Sequence, residues 1–260
     1  MSDLLAPIYA IEQDDAIAFW GFVGFMKRME RNFLRDQSGM RLQLVTLDEL
    51  CAVLDPVLYA HLLKLDSTNL FFFFRMLLVW FKREFSFPDI CRLWEGLWTD
   101  YLSAEFHLFI AMAILEKHRS VIIEHLRGFD EVLKYVNELS GTIDLPSTLV
   151  RAEALFRRFQ RTVELVDKKR NFAPPSNLRQ RLPAAPATEG VSASTGREGG
   201  MLDRLAAGKG AQKPAAAAAV VKVAEEKERT ISANLRALLS REVPVLEKGV
   251  VEARGGGVGS

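Results

Sequence analysis

Four histidines, His61, His107, His118 and His125, carry the side chains whose charge changes nearest neutral pH. None stands in a His-Glu-x-x-His pattern. His118 and His125 are seven apart and share a face if they lie on one helix, but two ligands do not complete a zinc site. Surface or interface positions are the expectation for all four. Ser38, in Gln37-Ser38-Gly39, lacks the preceding glycine of a nucleophile elbow. Gly208-Lys209 is followed by Gly210, with no glycine at the right distance before it, so no phosphate loop is present. Asp14-Asp15 and Asp48-Glu49 are adjacent carboxylates, and adjacent side chains diverge on a helix, so neither pair makes a shared acid/base site. Cys51 and Cys91 are too few for a disulfide framework or a four-thiolate metal site, and they fit a reduced, intracellular setting. The residues themselves imply no substrate chemistry, no metal and no cofactor.

Two aromatic-basic segments stand apart from this background. One runs Arg75-Met76-Leu77-Leu78-Val79-Trp80-Phe81-Lys82-Arg83-Glu84-Phe85, and the other Arg92-Leu93-Trp94-Glu95-Gly96-Leu97-Trp98. On periodicity alone they read as two packed helices, with tryptophans in the core and arginines paired to carboxylates.

The elements that would position these residues are helical from the start to about residue 170. Asp14 or Asp15 caps a helix whose apolar positions Phe19, Trp20, Val23, Met26, Met29 and Phe33 recur at steps of three and four. Gln37-Ser38-Gly39 breaks it, and a second helix follows from about Met40. Asp55-Pro56 starts another, with proline suited to the first turn. Asp66-Ser67-Thr68 precedes the apolar run Leu70 to Phe81, which reads as a buried helix: it contains Arg75 and is far short of the roughly 20 apolar residues of a membrane span. Ser86 caps the next helix, with Pro88 and Asp89 in its first turn. Ser103 opens a run from Phe106 to Leu126, apolar on all sides in its first half. Gly128 and Gly141 bracket a short helix, and a last one starts near Pro146-Ser147. No strand-like alternation appears, so the fold class is all-α, with about eight helices.

Aromatic residues mark a boundary. Of 25 Phe, Trp and Tyr, only Phe172 lies beyond residue 171, whereas the segment 171–260 holds 11 of 17 glycines and 6 of 10 prolines. Such a segment buries too little apolar surface to offset chain entropy, and a disordered low-complexity tail is expected there, with a marginal helix from about Val223 to Leu239. The whole chain carries 34 basic and 33 acidic residues. That balance excludes a general nucleic-acid binder, which needs a basic excess to displace counterions. The start, Met1-Ser2-Asp3, has no basic region and does not read as a targeting signal.

Taken in order along residues 1 to 165, these motifs resemble the TBC domain of Rab GTPase-activating proteins. In that family a helix reading Arg-x-x-x-x-Trp/Phe-x-x-Arg-Glu-Phe precedes an Arg-Leu-Trp-Asp helix. This chain supplies Arg75, Trp80, Arg83, Glu84 and Phe85, then Arg92, Leu93 and Trp94, with Glu95 keeping the charge of the family's Asp. Asn32-Phe33, Asp36-Gln37-Ser38-Gly39-Met40, Asp55-Pro56, Leu58-Tyr59 and His61-Leu62 also fit, as does Met1-Ser2-Asp3-Leu4-Leu5-Ala6-Pro7. The resemblance is nearest to the fungal and animal branch linked to late endosomal and vacuolar Rabs. It implies a Rab-type small GTPase as partner, whose own GTP and Mg²⁺ take part. It also implies a cytoplasmic protein, peripheral on endosomal or vacuolar membranes, with no integral membrane segment.

The family stimulates hydrolysis with an arginine finger and a glutamine finger supplied in trans. Its glutamine lies in Tyr-x-Gln-Gly-Met-Asn/Ser-Asp, and Met1-Ser2-Asp3 matches the end of that pattern. Both fingers are therefore expected upstream of Met1, with residues 1–170 the C-terminal portion of the domain and 171–260 the tail. Arg28, Arg31 and Arg35 have no matching motif. The resemblance leaves Ser2 and Asp3 as partner-binding candidates. Arg75, Trp80, Arg83, Glu84, Arg92, Leu93 and Trp94 remain as a mainly structural signature. A chain of this kind is expected to be inactive alone and to self-associate through exposed apolar surface. A non-catalytic helical Rab- or protein-binding module is the alternative.

Overall fold

The computed structural model describes residues 1–171 and 231–244. Among these residues there are eleven α-helices, two short 3₁₀ turns and no strand, an all-α fold with more breaks than the eight helices expected. Helices α1 (Ser2–Glu12) and α2 (Asp15–Met29) pack as a pair; Gln13 turns between them at φ 51°. Asp14 caps α2 as its sequence position requires, its carboxylate accepting from the Ile17 amide at 2.9 Å. A 3₁₀ turn (Glu30–Phe33) leads to α3 (Ser38–Leu54), which starts two residues before the expected Met40. Gly39 permits this early start: a Cβ there would lie 2.1 Å from the Arg31 carbonyl oxygen. Asp55 caps α4 (Pro56–Lys64) by accepting from the Leu58 amide at 3.0 Å, with Pro56 in the first turn.

The apolar run Leu70 to Phe81 is not one buried helix. It forms a 3₁₀ turn (Phe71–Phe73) and a five-residue helix α5 (Phe74–Leu78). The break has a tertiary cause. Trp80 and Phe81 are held at φ 45° and 60°, a conformation costing a non-glycine residue about 1–2 kcal/mol. The Phe81 amide donates back to the Met76 carbonyl at 2.7 Å, and the Trp80 carbonyl accepts from the Trp94 indole at 2.9 Å. Both aromatic side chains are buried, which offsets the strain at about 1.5–3 kcal/mol per large apolar group.

Helix α6 (Phe87–Trp98) has Ser86 as its cap and Pro88 in its first turn. It buries one face, Ile90, Leu93, Trp94 and Leu97, at the three- and four-residue steps that place side chains together. Helix α7 (Phe106–Lys117) is apolar all round and runs through the centre, with Leu108 to Leu115 buried without exception. The backbone breaks at His118 into α8 (Arg119–His125), so the expected run to Leu126 is two helices. Helix α9 (Phe129–Glu138) lies between Gly128 and Gly141 as expected. Helix α10 (Leu145–Asn171) lies along α7: Phe156 and Phe159 each meet the Phe109 ring, at 5.2 and 5.8 Å between centroids.

Within the expected tail, residues 231–244 are ordered and carry a final helix, α11 (Ala233–Ala237), packed on α3. Of the helix expected from Val223 to Leu239, residues 223–230 lie outside the described residues, as do the other tail residues 172–222 and 245–260.

Candidate functional site

The turn from Val79 to Ser86 carries three of the seven signature residues, Trp80, Arg83 and Glu84. Five separate interactions hold it, two of them made by Arg75 and Trp94 from outside the turn. The Trp94 indole N–H donates to the Trp80 carbonyl. The Arg83 guanidinium donates to Asp3 Oδ2 at 2.8 Å, and the Ser140 hydroxyl donates to the Arg83 carbonyl at 2.6 Å. The Gly141 amide donates to the Glu84 carbonyl at 2.9 Å. The Arg75 guanidinium donates to Glu84 Oε1, also at 2.9 Å. The Glu84 side chain has no exposed surface, and its Oε2 has no hydrogen-bond partner. Burial raises its pKa above the ordinary glutamate value, while Arg75 opposes the rise. Through Arg83 and Asp3 the turn fixes the first turn of α1, where Ser2 and Asp3 stand. Of the remaining signature residues, Leu93 and Trp94 are buried on the inner face of α6, and Arg92 is exposed on its outer face.

Trp80 and Trp94 are buried in the core, as their spacing implied, whereas Trp98, expected there too, is 42% exposed at the last position of α6. Phe25 of α2 meets Trp80, Trp94 and Trp98 with centroids 5.0–5.6 Å apart, which ties α2 to the turn. Arg28 lies over the Trp80 ring at 5.3 Å and is ion-paired to Asp100. Arg31 donates to Glu105 at 2.6 Å. These two arginines clamp the α6–α7 connection, a positioning role. Arg35 is exposed at the rim of a groove of 640 Å³ along α2, lined by Phe19, Phe22, Val23, Met26 and Phe33 among others.

A buried polar chain that sequence patterning did not reveal lies behind this face. Asn32 Nδ2 donates to the Leu77 carbonyl at 3.2 Å, and Gln43 Nε2 donates to Asn32 Oδ1 at 2.7 Å. His107 Nε2 donates to Gln43 Oε1 at 2.8 Å. His107 is therefore a fully buried core residue, not the surface or interface histidine expected from its isolation. Burial first, then the Arg31 and Arg28 charges, hold its pKa well below the ordinary histidine value. It is a neutral hydrogen-bond donor fixing the register of α3 against α7. His118 pairs with the Tyr135 hydroxyl at 2.8 Å, His61 Nε2 lies 3.2 Å from the Leu126 carbonyl, and His125 is exposed. The only sequence signal for His107 is its place in an otherwise apolar run.

No group of three or more His, Cys, Asp or Glu side chains suited to a metal occurs among the described residues. No helix among them is long and apolar enough to cross a membrane. The geometry is that of a helical scaffold presenting a fixed N-terminal turn and an apolar α2 face.

Residues 1–123 match the Rab-GTPase-TBC domain family. GTPase-activating protein GYP7 of Yarrowia lipolytica is 67% identical over 169 residues, which is 65% of this chain and 23% of that protein. TBC1 domain family member 17 of Homo sapiens is 43% identical over 194 residues, 75% of this chain and 28% of that protein. Rab GTPase-activating protein 22 of Arabidopsis thaliana is 32% identical over 191 residues, 66% of this chain and 35% of that protein. The chain thus spans about a quarter of the length of the first two relatives. The ordered signature from Arg75 to Trp94, the turn built from it and the identity to these proteins agree: through residues 1–123, the chain belongs to the Rab-GTPase-TBC domain family.

Proposed function

We propose that this chain serves GTPase activation toward a Rab-type small GTPase, supplying the scaffold and part of the partner surface but neither catalytic finger. The match of residues 1–123 to the Rab-GTPase-TBC domain carries the reading. The names of the relatives support it, GTPase-activating protein in the Yarrowia case and Rab GTPase-activating protein in the Arabidopsis case. In this reading Asp3 ends the pattern that bears the family's glutamine, and Arg83 acts as a positioning residue by holding Asp3. Arg28 and Arg31 are committed to Asp100 and Glu105, which argues against either as an arginine finger. Residues 1–170 are then the C-terminal portion of the helical domain, acting at late endosomal or vacuolar membranes as a peripheral, cytoplasmic protein.

As it stands, the chain binds without accelerating hydrolysis, which is how a non-catalytic interaction module behaves. A single-turnover GTPase assay across a Rab panel tests this with two proteins. One is this chain, and the other is a chimera carrying the preceding portion of the Yarrowia relative joined to Met1. The expected result is no stimulation by the chain and strong stimulation by the chimera, on the 10³- to 10⁵-fold scale of an arginine finger. Stimulation of a hundredfold or more by the chain alone would overturn the assignment of the fingers elsewhere. An inert chimera would count against the activator reading itself.

A further inference from the structure

Residues 231–244 return to the helical body after 59 intervening residues, 172–230. Ile231, Leu235 and Leu238 are buried, a spacing of four and three that sets one apolar edge into the body. Polar contacts surround that edge. Arg236 makes a two-pronged pair with Asp167 of α10, at 2.5 and 3.0 Å. The Ala104 amide donates to the Ser240 carbonyl at 3.0 Å, and the Arg241 guanidinium lies 5.7 Å from the Tyr101 ring centre. Ser232 stands at the entry of the segment. Its hydroxyl accepts from the Leu235 amide at 3.2 Å and donates to Glu49 Oε2 of α3 at 2.5 Å. The contact with Glu49 is thus one in which the serine must be the donor, since a carboxylate only accepts.

The sequence around this serine is Lys227-Glu228-Arg229-Thr230-Ile231-Ser232, with an arginine three residues before it. Basic residues at that spacing suit a kinase whose substrate groove is acidic. We propose that Ser232 is a phosphorylation site and that its modification releases residues 231–244 from the helical body. The Ser232 hydroxyl oxygen attacks the γ-phosphorus of ATP, the bond to the ADP oxygen breaks, and the hydroxyl proton passes to the kinase's base. The products are phosphoserine and ADP. The modified oxygen has no proton to give Glu49, and about 1.5 to 2 negative charges then face that carboxylate. Arg236 stands four residues on and can turn to the phosphate, but only by leaving Asp167. Either arrangement removes a contact that holds the segment down. Ser232 is partly exposed, so a kinase can reach it.

The test uses the full chain with Mg·ATP and the catalytic subunit of the cyclic-AMP-dependent kinase, a basophilic enzyme, as probe. Peptide mass spectrometry should place a phosphate on Ser232. Amide hydrogen exchange at Leu235 and from Leu238 to Ser240 should accelerate at least tenfold, with faster tryptic cleavage after Arg236. Ser232→Ala should abolish the response to kinase treatment. Glu49→Gln, which removes the opposing charge and keeps the shape, should cut the acceleration to a third or less; the melt of the unphosphorylated variant checks that it folds. Any of three results overturns the proposal. These are no phosphate at Ser232 while a control peptide is labelled, unchanged exchange in the phosphorylated chain, and the same acceleration in Glu49→Gln as in the parent.

Discussion

The Arg75 guanidinium lies 2.9 Å from Oε1 of Glu84, a carboxylate with no exposed surface, while Arg75 itself keeps more than a third of its side chain in water. The pair is asymmetric, and so are the consequences of breaking it. Truncating the arginine leaves a buried carboxylate unpaired. Truncating the glutamate leaves a cation that water can still reach.

Arg75→Ala should therefore destabilise the fold by about 2–3 kcal/mol at pH 7.5, below the 3–5 of a fully buried pair because solvent screens the exposed arginine. Glu84 already has its pKa raised by burial, and loss of Arg75 raises it further. A raised carboxylate pKa means stability present at acid pH and lost as pH rises through the folded value. The Arg75→Ala deficit should shrink toward pH 5, and adding Glu84→Gln should recover part of it at pH 7.5. Urea titrations of the three variants at both pH values measure this. A deficit independent of pH would show that lost arginine packing, not the buried charge, is responsible.

His107 gives the opposite slope. Its folded pKa lies well below the unfolded value because of burial and the Arg31 and Arg28 charges. Below about pH 6.5 the unfolded chain binds a proton that the native state refuses, so stability falls by at most about 1.4 kcal/mol per pH unit. The loss continues down to the folded pKa. His107→Gln removes the titration. The difference between parent and variant in unfolding free energy should vary with pH between 6.5 and 5 and be flat above 7.5. Denaturant melts at four pH values decide it, and parallel curves through the acid range would mean that His107 is not held neutral.

What could be read from the chain and what could not divides along contact range. The caps at Asp14, Asp55 and Ser86 were legible because each bonds an amide three residues ahead. The end of α5 was not legible, because Trp80 turns left-handed to offer its carbonyl to Trp94, fourteen residues away. The Asn32–Gln43–His107 chain spans 64 residues between its last two members and leaves no periodic trace. Segment 231–244 was read only in part: α11 falls within the marginal helix expected from Val223 to Leu239, but its packing on the body was not legible. Composition averaged over ninety residues conceals three apolar anchors and a capping serine, although the four-and-three spacing of Ile231, Leu235 and Leu238 was present to be seen. Of the site, Arg75, Trp80, Glu84 and Trp94 were identified together, but their pairing required the coordinates.

Gly39 sits where no larger residue fits. A Cβ there would lie 2.1 Å from the Arg31 carbonyl oxygen and 2.7 Å from its carbonyl carbon, backbone atoms that no side-chain rotation relieves. Gly39→Ala should cost at least about 2 kcal/mol, in the range of overpacked interiors, although alanine is the better helix former. Chemical denaturation of the single variant measures the cost. Unchanged stability would mean that the turn at Glu30–Phe33 moves freely relative to α3.

The face formed by α1 and α2 leads to the last expectation. Trp20 is 69% exposed, Ile11 61%, Phe19 57% and Ile17 56%, and the groove along α2 continues the apolar surface through Phe22, Val23 and Met26. Large apolar groups in water forgo about 1.5–3 kcal/mol each relative to burial, and contiguous patches beyond about 300–600 Å² mark contact sites. The chain as it stands should bind an apolar fluorescent dye and self-associate as its concentration rises. The double variant Phe19→Ser, Trp20→Ser should lose more than half of the dye signal. It should sediment as a smaller species without a lower melting temperature, because neither side chain is buried in the core. Dye titration with sedimentation velocity on parent and variant reads both quantities. A parent that stays monomeric at high concentration and binds little dye would show that Trp20 and its neighbours are ordinary scattered surface residues; the chimera used in the GTPase assay provides the reverse control, since a segment covering this face should suppress dye binding there too.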